Sequence, residues 1–485
     1  MKKIYLLIVI FCATLVPKCL SDERTPFCDV CACLNQTLTN PDVDCSSKIV
    51  SSILFDAKLW FNKDKNKTYD ISSLNLQSID LGILNDTFPD SNLRKLDLSN
   101  NAIRFIADGA FANLEEMEEL ILSNNRLQTI GPDVFRGLRL DGYDYPLKAL
   151  TTLRLDNNEI HTLNPDVFQH IDREIKILSL AHNPFKVFDQ QTVIAITSVV
   201  TLEELDLSYT QLKELPQYFL HTPQYLKKLD LSGNLLTAIP ETLEDAHVLE
   251  ELIMNNNTIV NLTQETGFPI VKTLKRLHLC NMPVLEEIGQ HSMSGLENLE
   301  ELYISENIAL STVHYGTLVR LDVENPVWPR IKKLIISNNK LTHLNSTFLA
   351  KWDYLTELDI RGNPWTCECE NQWMIDELMP LYVGLNVAQA KEIKCAAPIE
   401  MEHQTLYDIY QMKSVMRCLD LYGNRPEKDG AILIGILIGI LIGIPLVLFI
   451  LYSYQRNWYG IFDHSPAAYS RQFYRAPSLG DDGRL

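Results

Sequence analysis

The chain has 485 residues, with 62 acidic against 43 basic side chains and a net charge of -19 at neutral pH. That excess of negative charge argues against nucleic acid and against anionic polysaccharide as general partners. Acidity is common among secreted proteins and says little more.

The N-terminus opens with Met1-Lys2-Lys3, an apolar run from Ile4 to Val16 and a small residue, Ser21. A basic start, a short apolar run and a small residue predict a cleaved signal peptide over residues 1–21. The run falls short of the about 20 residues that a membrane anchor needs. Cleavage would remove Cys12 and Cys19. The next segment, 22–70, holds Cys28-x-x-Cys31-x-Cys33-x11-Cys45. Four cysteines in an oxidising compartment can close two disulfides. A metal site fits poorly, because no second matching pair lies nearby and secreted thiols oxidise.

From residue 71 to 366 one pattern recurs. It is read in Leu93-x-x-Leu96-x-Leu98-x-x-Asn101, Leu226-x-x-Leu229-x-Leu231-x-x-Asn234 and Leu355-x-x-Leu358-x-Ile360-x-x-Asn363. Its anchors fall at Leu74, Leu96, Leu120, Leu153, Leu178, Leu205, Leu229, Leu252, Leu277, Leu302, Leu334 and Leu358, giving about twelve units mostly about 24 residues apart. One such unit cannot bury its own apolar face, so the units must stack into a solenoid whose parallel strands line a concave surface. Phe88, Phe111, Phe135, Phe168, Phe219 and Phe348 follow the anchors and should stack as a spine on the convex side. Asn101, Asn125, Asn158, Asn183, Asn234, Asn257, Asn339 and Asn363 should bond turn backbone along the stack, as structural ladders rather than sites.

Two steps are long. Leu120 to Leu153 carries Arg136 to Ala149 with Tyr143 and Tyr145, and Leu302 to Leu334 carries His314 to Arg330 with Trp328 between two prolines. Extra residues in a solenoid bulge out as loops, where binding tends to sit, although drift is tolerated there too. Tyr143, Tyr145 and Trp328 are therefore candidate protein-binding residues.

Side chains alternate faces along a strand, so residues flanking an inward leucine face the concave surface. The two positions before each anchor read Lys176-Ile177, Glu203-Glu204, Lys227-Lys228, Glu250-Glu251, Lys275-Arg276, Glu300-Glu301 and Lys332-Lys333, reversing sign at every unit. With strands ~4.8 Å apart, each acidic pair would face basic pairs on both sides. Exposed pairs contribute about 0–1 kcal/mol each, but a continuous row fixes register and presents no single-sign field. The column between the anchor and the next leucine reads Asp206, Asp230, Ile253, His278, Tyr303, Ile335 and Asp359. Ile253, His278, Tyr303 and Ile335 make an uncharged patch rimmed by charge, a candidate protein contact. Cys280 lies beside it and is odd in number; a small residue there and an intermolecular bond are both open. Asn-x-Ser/Thr sequons at Asn35, Asn66, Asn85, Asn256, Asn261 and Asn345 predict glycans, with Asn256 near the concave rim.

After the units, Asn363-Pro364-Trp365 introduces Cys367-x-Cys369-x25-Cys395-x22-Cys418, over residues 367–418. Terminal units expose apolar edges, so a solenoid needs polar caps. These cysteine sets resemble the N- and C-terminal caps of extracellular leucine-rich repeat proteins, and the resemblance spans Cys28 to Cys418. It implies the pairings Cys28–Cys33, Cys31–Cys45, Cys367–Cys395 and Cys369–Cys418. The expected fold class is α/β: a leucine-rich repeat solenoid with disulfide caps, plus one transmembrane helix.

Beyond a juxtamembrane stalk, 419–430, residues 431–452 form an uncharged run long enough to span a bilayer, with Arg456 on the expected cytoplasmic side. Its spacing, Ala431-x3-Gly435-x3-Gly439-x3-Gly443, places small residues on one helical stripe suited to lateral association. The tail, 453–485, holds Tyr459-Gly460-Ile461-Phe462, which resembles a sorting signal, and is too short for a Toll-type signalling domain. No Gly-rich phosphate loop, His-Glu-x-x-His or Gly-x-Ser-x-Gly occurs, so neither an enzyme nor a cofactor or metal is expected. The sequence thus predicts a single-pass type I plasma-membrane protein that binds an extracellular or cell-surface protein, as a receptor or adhesion molecule. Its alternatives are an accessory subunit working through its transmembrane helix, by homo- or hetero-association, and an ectodomain shed into the matrix.

Overall fold

The structure is a computed structural model that describes residues 26–34, 41–46, 48, 54, 56–62, 67–68, 71–78, 81–141, 143–321, 325–416 and 426–456. The signal-peptide and tail expectations, Asn35, Asn66 and Cys418 lie outside them. Two compact units are present, Met1–Val415 and Met416–Leu485.

The first unit is built on one 14-stranded sheet. Its strands are three residues long and parallel, in chain order from Asp42–Asp44 through Ser73–Asn75 to Glu357–Asp359. The sheet therefore begins inside the N-terminal cap, where Ala32–Leu34 adds an antiparallel edge. From Ser73–Asn75 onward each central residue is an anchor leucine with no more than 1% of its surface exposed, and each sits opposite the next, Leu205 on Leu229 on Leu252 on Leu277. The period of the chain thus becomes the register of the sheet, because only in-register leucines share one core.

The convex side is irregular. Short turns and the helix Gln190–Ser198, capped by the Asp189 side chain accepting from Thr192 N–H, return the chain. Beneath them Phe88 stacks on Phe111 at 5.7 Å between ring centres and Phe111 on Phe135 at 6.4 Å, while Phe168, Phe219 and Phe348 are equally buried. The asparagine ladder forms as expected. Asn257 Nδ2 donates to Leu231 O and Met254 O at 3.0 Å, and its carbonyl accepts from Leu236 N at 3.2 Å. Asn307, which carries the same spacing after Leu302-x-Ile304, is a further rung. Thr210 and Met282 stand where two rungs would fall, and each meets its neighbouring asparagine in the ladder.

Cys28–Cys33, Cys31–Cys45 and Cys367–Cys395 are bonded as the resemblance implies. Cys369 is also in a disulfide. Trp365 is buried and donates its indole N–H to Ile360 O at 2.9 Å, sealing the last unit. In the second unit the helix Pro426–Gln455 takes in the end of the expected stalk. Its 24-residue segment Ile432–Gln455, of mean hydropathy 3.0, is long and apolar enough to cross a membrane.

Candidate functional site

The candidate column is a single file of side chains. Pairing places Asp206, Asp230, Ile253, His278, Tyr303, Ile335 and Asp359 side by side on consecutive strands. The His278 and Tyr303 rings stack 4.2 Å apart and 6° from parallel. Tyr303 Oη donates to the Glu301 carboxylate at 2.7 Å, and Lys333 Nζ lies 5.3 Å from its ring centre. Burial pushes the Tyr303 phenol above its ordinary pKa, reinforced by that bond to Glu301. The four central residues are half-buried rather than exposed, because long charged side chains flank them. They form a shallow strip, not a raised patch.

Burial lowers the His278 pKa, against the attraction of Glu251 and Glu301. Its Nε2 lies 3.9 Å from a Glu251 oxygen and has no hydrogen-bond partner among the described residues. Asp230 shifts the other way. Burial raises its carboxyl pKa and neighbouring Asp206 adds to the effect, although Ser232 N–H donates to it at 2.8 Å. The file is thus acidic at its N-terminal end and neutral at its centre.

The alternating row beside the file is paired. Glu203 lies between Lys176 at 3.3 Å and Lys227 at 2.8 Å, Glu251 meets Arg276 at 2.8 Å, and Glu119 meets Lys95 at 2.9 Å. Glu203 is held below the ordinary carboxyl range, chiefly by its hydrogen bond from Lys227. Cys280 is free and half-buried, accepting a hydrogen bond from Ser305 Oγ at 3.2 Å.

Both long steps fold as antiparallel hairpins rather than open loops, Arg136–Leu140 with Tyr143–Pro146 and Arg320–Leu321 with Pro326–Val327. Each is inserted just before a sheet strand, on the edge where strands begin. Tyr143 is 74% exposed, and the side chain of Tyr145 lies outside the described residues. Trp328 does not project. It lines a cleft of about 590 Å³ together with Val248, Glu250, Lys272, Thr273, Lys275 and residues 297–300, which immediately precede the strands bearing Ile253, His278 and Tyr303. The column and the second hairpin therefore converge on the same three units. Sequence spacing could not pair them, because the hairpin reaches back over earlier turns through Arg320 on Glu297 and His291 Nδ1 at 2.6 Å from Val319 O.

The remaining candidates are dispersed. Asn85, Asn256, Asn261 and Asn345 are exposed, and all lie in the part of a unit that follows its strand. Gly435, Gly439 and Gly443 share one face of their helix, as four-residue spacing requires. No group of three metal-ligating side chains occurs among the described residues.

The leucine rich repeat family model matches residues 91–141, 200–259 and 272–323. Chaoptin of Drosophila melanogaster is 28% identical over 281 residues, which is 55% of this chain and 19% of that protein. Tsukushi of Gallus gallus is 25% identical over 295 residues, 61% of this chain and 67% of the relative. The chain thus spans a small part of the first and about two thirds of the second. Among solved structures, a leucine-rich repeat protein of Leptospira interrogans is 21% identical with a TM-score of 0.40, covering 67% of this chain and 85% of that one. A chain of the Toll–Spatzle complex of Drosophila is 19% identical with a TM-score of 0.44, covering 69% of this chain and 50% of that one. The repeat register and the matching family model define a solenoid of leucine-rich repeats. Its disulfide-bonded N-terminal cap and its likeness to Chaoptin and Tsukushi agree with the expected resemblance to the extracellular leucine-rich repeat proteins.

Proposed function

We propose that the chain is a cell-surface recognition protein, a receptor or adhesion molecule whose repeats bind another protein. One observation carries this reading: an uncharged file of Ile253, His278, Tyr303 and Ile335 within a row of charges that neutralise one another. A neutralised rim around a less polar strip supplies complementarity without attracting every oppositely charged solute. The Ile432–Gln455 helix would tether the repeats, with the disulfides on the outer side. Labelling of intact cells should therefore reach the repeats. On such cells, Ile253→Asp and Ile335→Asp should each cut capture of a cross-linked partner by about tenfold or more, since a buried unpaired charge costs several kcal/mol. Unlabelled repeats, or surface-expressed variants that capture the same partner equally, would sink the proposal.

The glycine stripe supports a second reading, in which the chain modulates another membrane protein through Gly435, Gly439 and Gly443. Replacing all three with Leu while ligand capture persists separates the two. Lost cellular function would favour helix association, and retained function would favour the repeats alone.

A further inference from the structure

Deepening the recognition reading, on which it rests, we propose that the cleft beside Trp328 takes up an acidic segment of the partner polypeptide.

Its lining contains three carboxylates, all already satisfied. Glu250 pairs with Lys275 at 3.1 Å, Glu300 with Lys332 at 2.9 Å, and Glu297 with Arg320. Lys272 and Arg330 also line the cleft and are exposed, yet neither meets a carboxylate among the described residues. Arg330 has only the Tyr354 ring, 5.8 Å from its guanidinium carbon. The cleft thus keeps two uncompensated positive charges in a chain of net charge -19.

Two polar groups of the lining point to the same chemistry. Trp328 Nε1 and Thr273 Oγ1 are shielded from solvent and have no hydrogen-bond partner among the described residues. An indole N–H can only donate, so the partner that Trp328 lacks is an acceptor, and the Thr273 hydroxyl can donate to the same kind of group. A buried donor left unpaired is costly, and an incoming oxygen would relieve that cost. Two cations and two idle donors define a site for carboxylate and carbonyl oxygens. Its size falls within the about 300–1,000 Å³ of ligand pockets.

The surroundings favour a polypeptide. The cleft abuts the beginnings of strands Glu251–Ile253, Arg276–His278 and Glu301–Tyr303, so a segment seated there runs directly onto the column. None of the described sequon asparagines, Asn85, Asn256, Asn261 and Asn345, lines this cleft. A long sulfated polysaccharide would also supply oxygens, but the net negative charge beyond the cleft would repel it.

Full-length protein in detergent micelles would be titrated against a short fluorescein-labelled peptide rich in Asp and Glu, read by anisotropy. Its Asn/Gln counterpart and a heparin fragment serve as the alternative probes. The acidic peptide should bind, and the Asn/Gln peptide should bind about tenfold more weakly or worse. Lys272→Glu with Arg330→Glu, both at exposed positions, should cut affinity by at least about tenfold. Trp328→Phe keeps the ring, removes the N–H and should weaken binding by about two- to tenfold. Equal binding of both peptides, preferential binding of heparin, or a charge-reversed protein that binds like the parent would each overturn the assignment. Ile253→Asp provides the separation. If it abolishes partner capture while the charge-reversed variant does not affect the peptide, the cleft falls and the column reading stands. If neither affects its probe, both fall.

Discussion

The two edges of the parallel sheet are built on different principles. Where strands end, most turns repeat one device: a left-handed residue such as Asn100, Asn124, Asn157, Asn256 or Asn338, then a buried asparagine bonded to backbone of its own and the preceding unit. Where strands begin, a buried leucine such as Leu202, Leu249 or Leu274 recurs beneath a surface on which the repeating feature is charge, and both hairpins are inserted there. The first edge buries polar groups, so a lost rung leaves backbone unpaired unless another side chain takes its place, as Thr210 does. The second is solvated, so it can vary at little cost. The repeating ladder sits on one edge and the inserted hairpins on the other because an unpaired buried backbone group costs more than a lost surface ion pair.

That contrast can be broken most severely at the ladder. Asn257→Ala strips bonds from fully buried backbone groups and should cost about 2–4 kcal/mol by urea denaturation. A loss below that of Lys272→Ala would erase the distinction between the edges. Gly233→Ala should cost about 1–2 kcal/mol, because its φ is +65° and an added methyl would strike the Tyr209 ring, itself stacked on His182 at 4.4 Å. Combining it with Tyr209→Ala should recover part of the loss, and strict additivity would disprove the clash.

On the charged edge the effects shrink. Glu251→Gln, which removes the partner of half-exposed Arg276, should cost at most about 1 kcal/mol and less at high salt. His278 sharpens the picture through pH. Burial lowers its pKa, so between its folded value and about 6.5 the unfolded chain binds more protons. The stability that goes with its neutral form is present above about pH 6.5 and is lost as pH falls through the folded value. Wild type should therefore lose more stability than His278→Gln between pH 7.5 and 5.5, and equal losses would place the proton elsewhere. Tyr143→Ala, at the exposed first hairpin, should stay within about 0.5 kcal/mol of wild type.

The two hairpins show where reading the chain stops. Both are visible as long steps between anchors, and Tyr143 and Trp328 look alike as aromatics in inserted segments. The second lines a cleft, and it is tied to the preceding unit by Arg320 on Glu297, 23 residues earlier. No local period records such a contact. The same holds for the half-burial of the column, which depends on how far Lys333 and its neighbours lean across the strip.

The sequence by itself determined the solenoid, its register, the phenylalanine spine, the asparagine ladder and the alternating row of charge. Each of these repeats once per turn, and identical local choices stacked in parallel admit one arrangement. Tertiary structure alone decided that the second inserted segment lines a cleft, which cations are left without partners and how deeply the neutral column lies. Those properties are sums over several turns that meet at one place in space, and no single turn contains them.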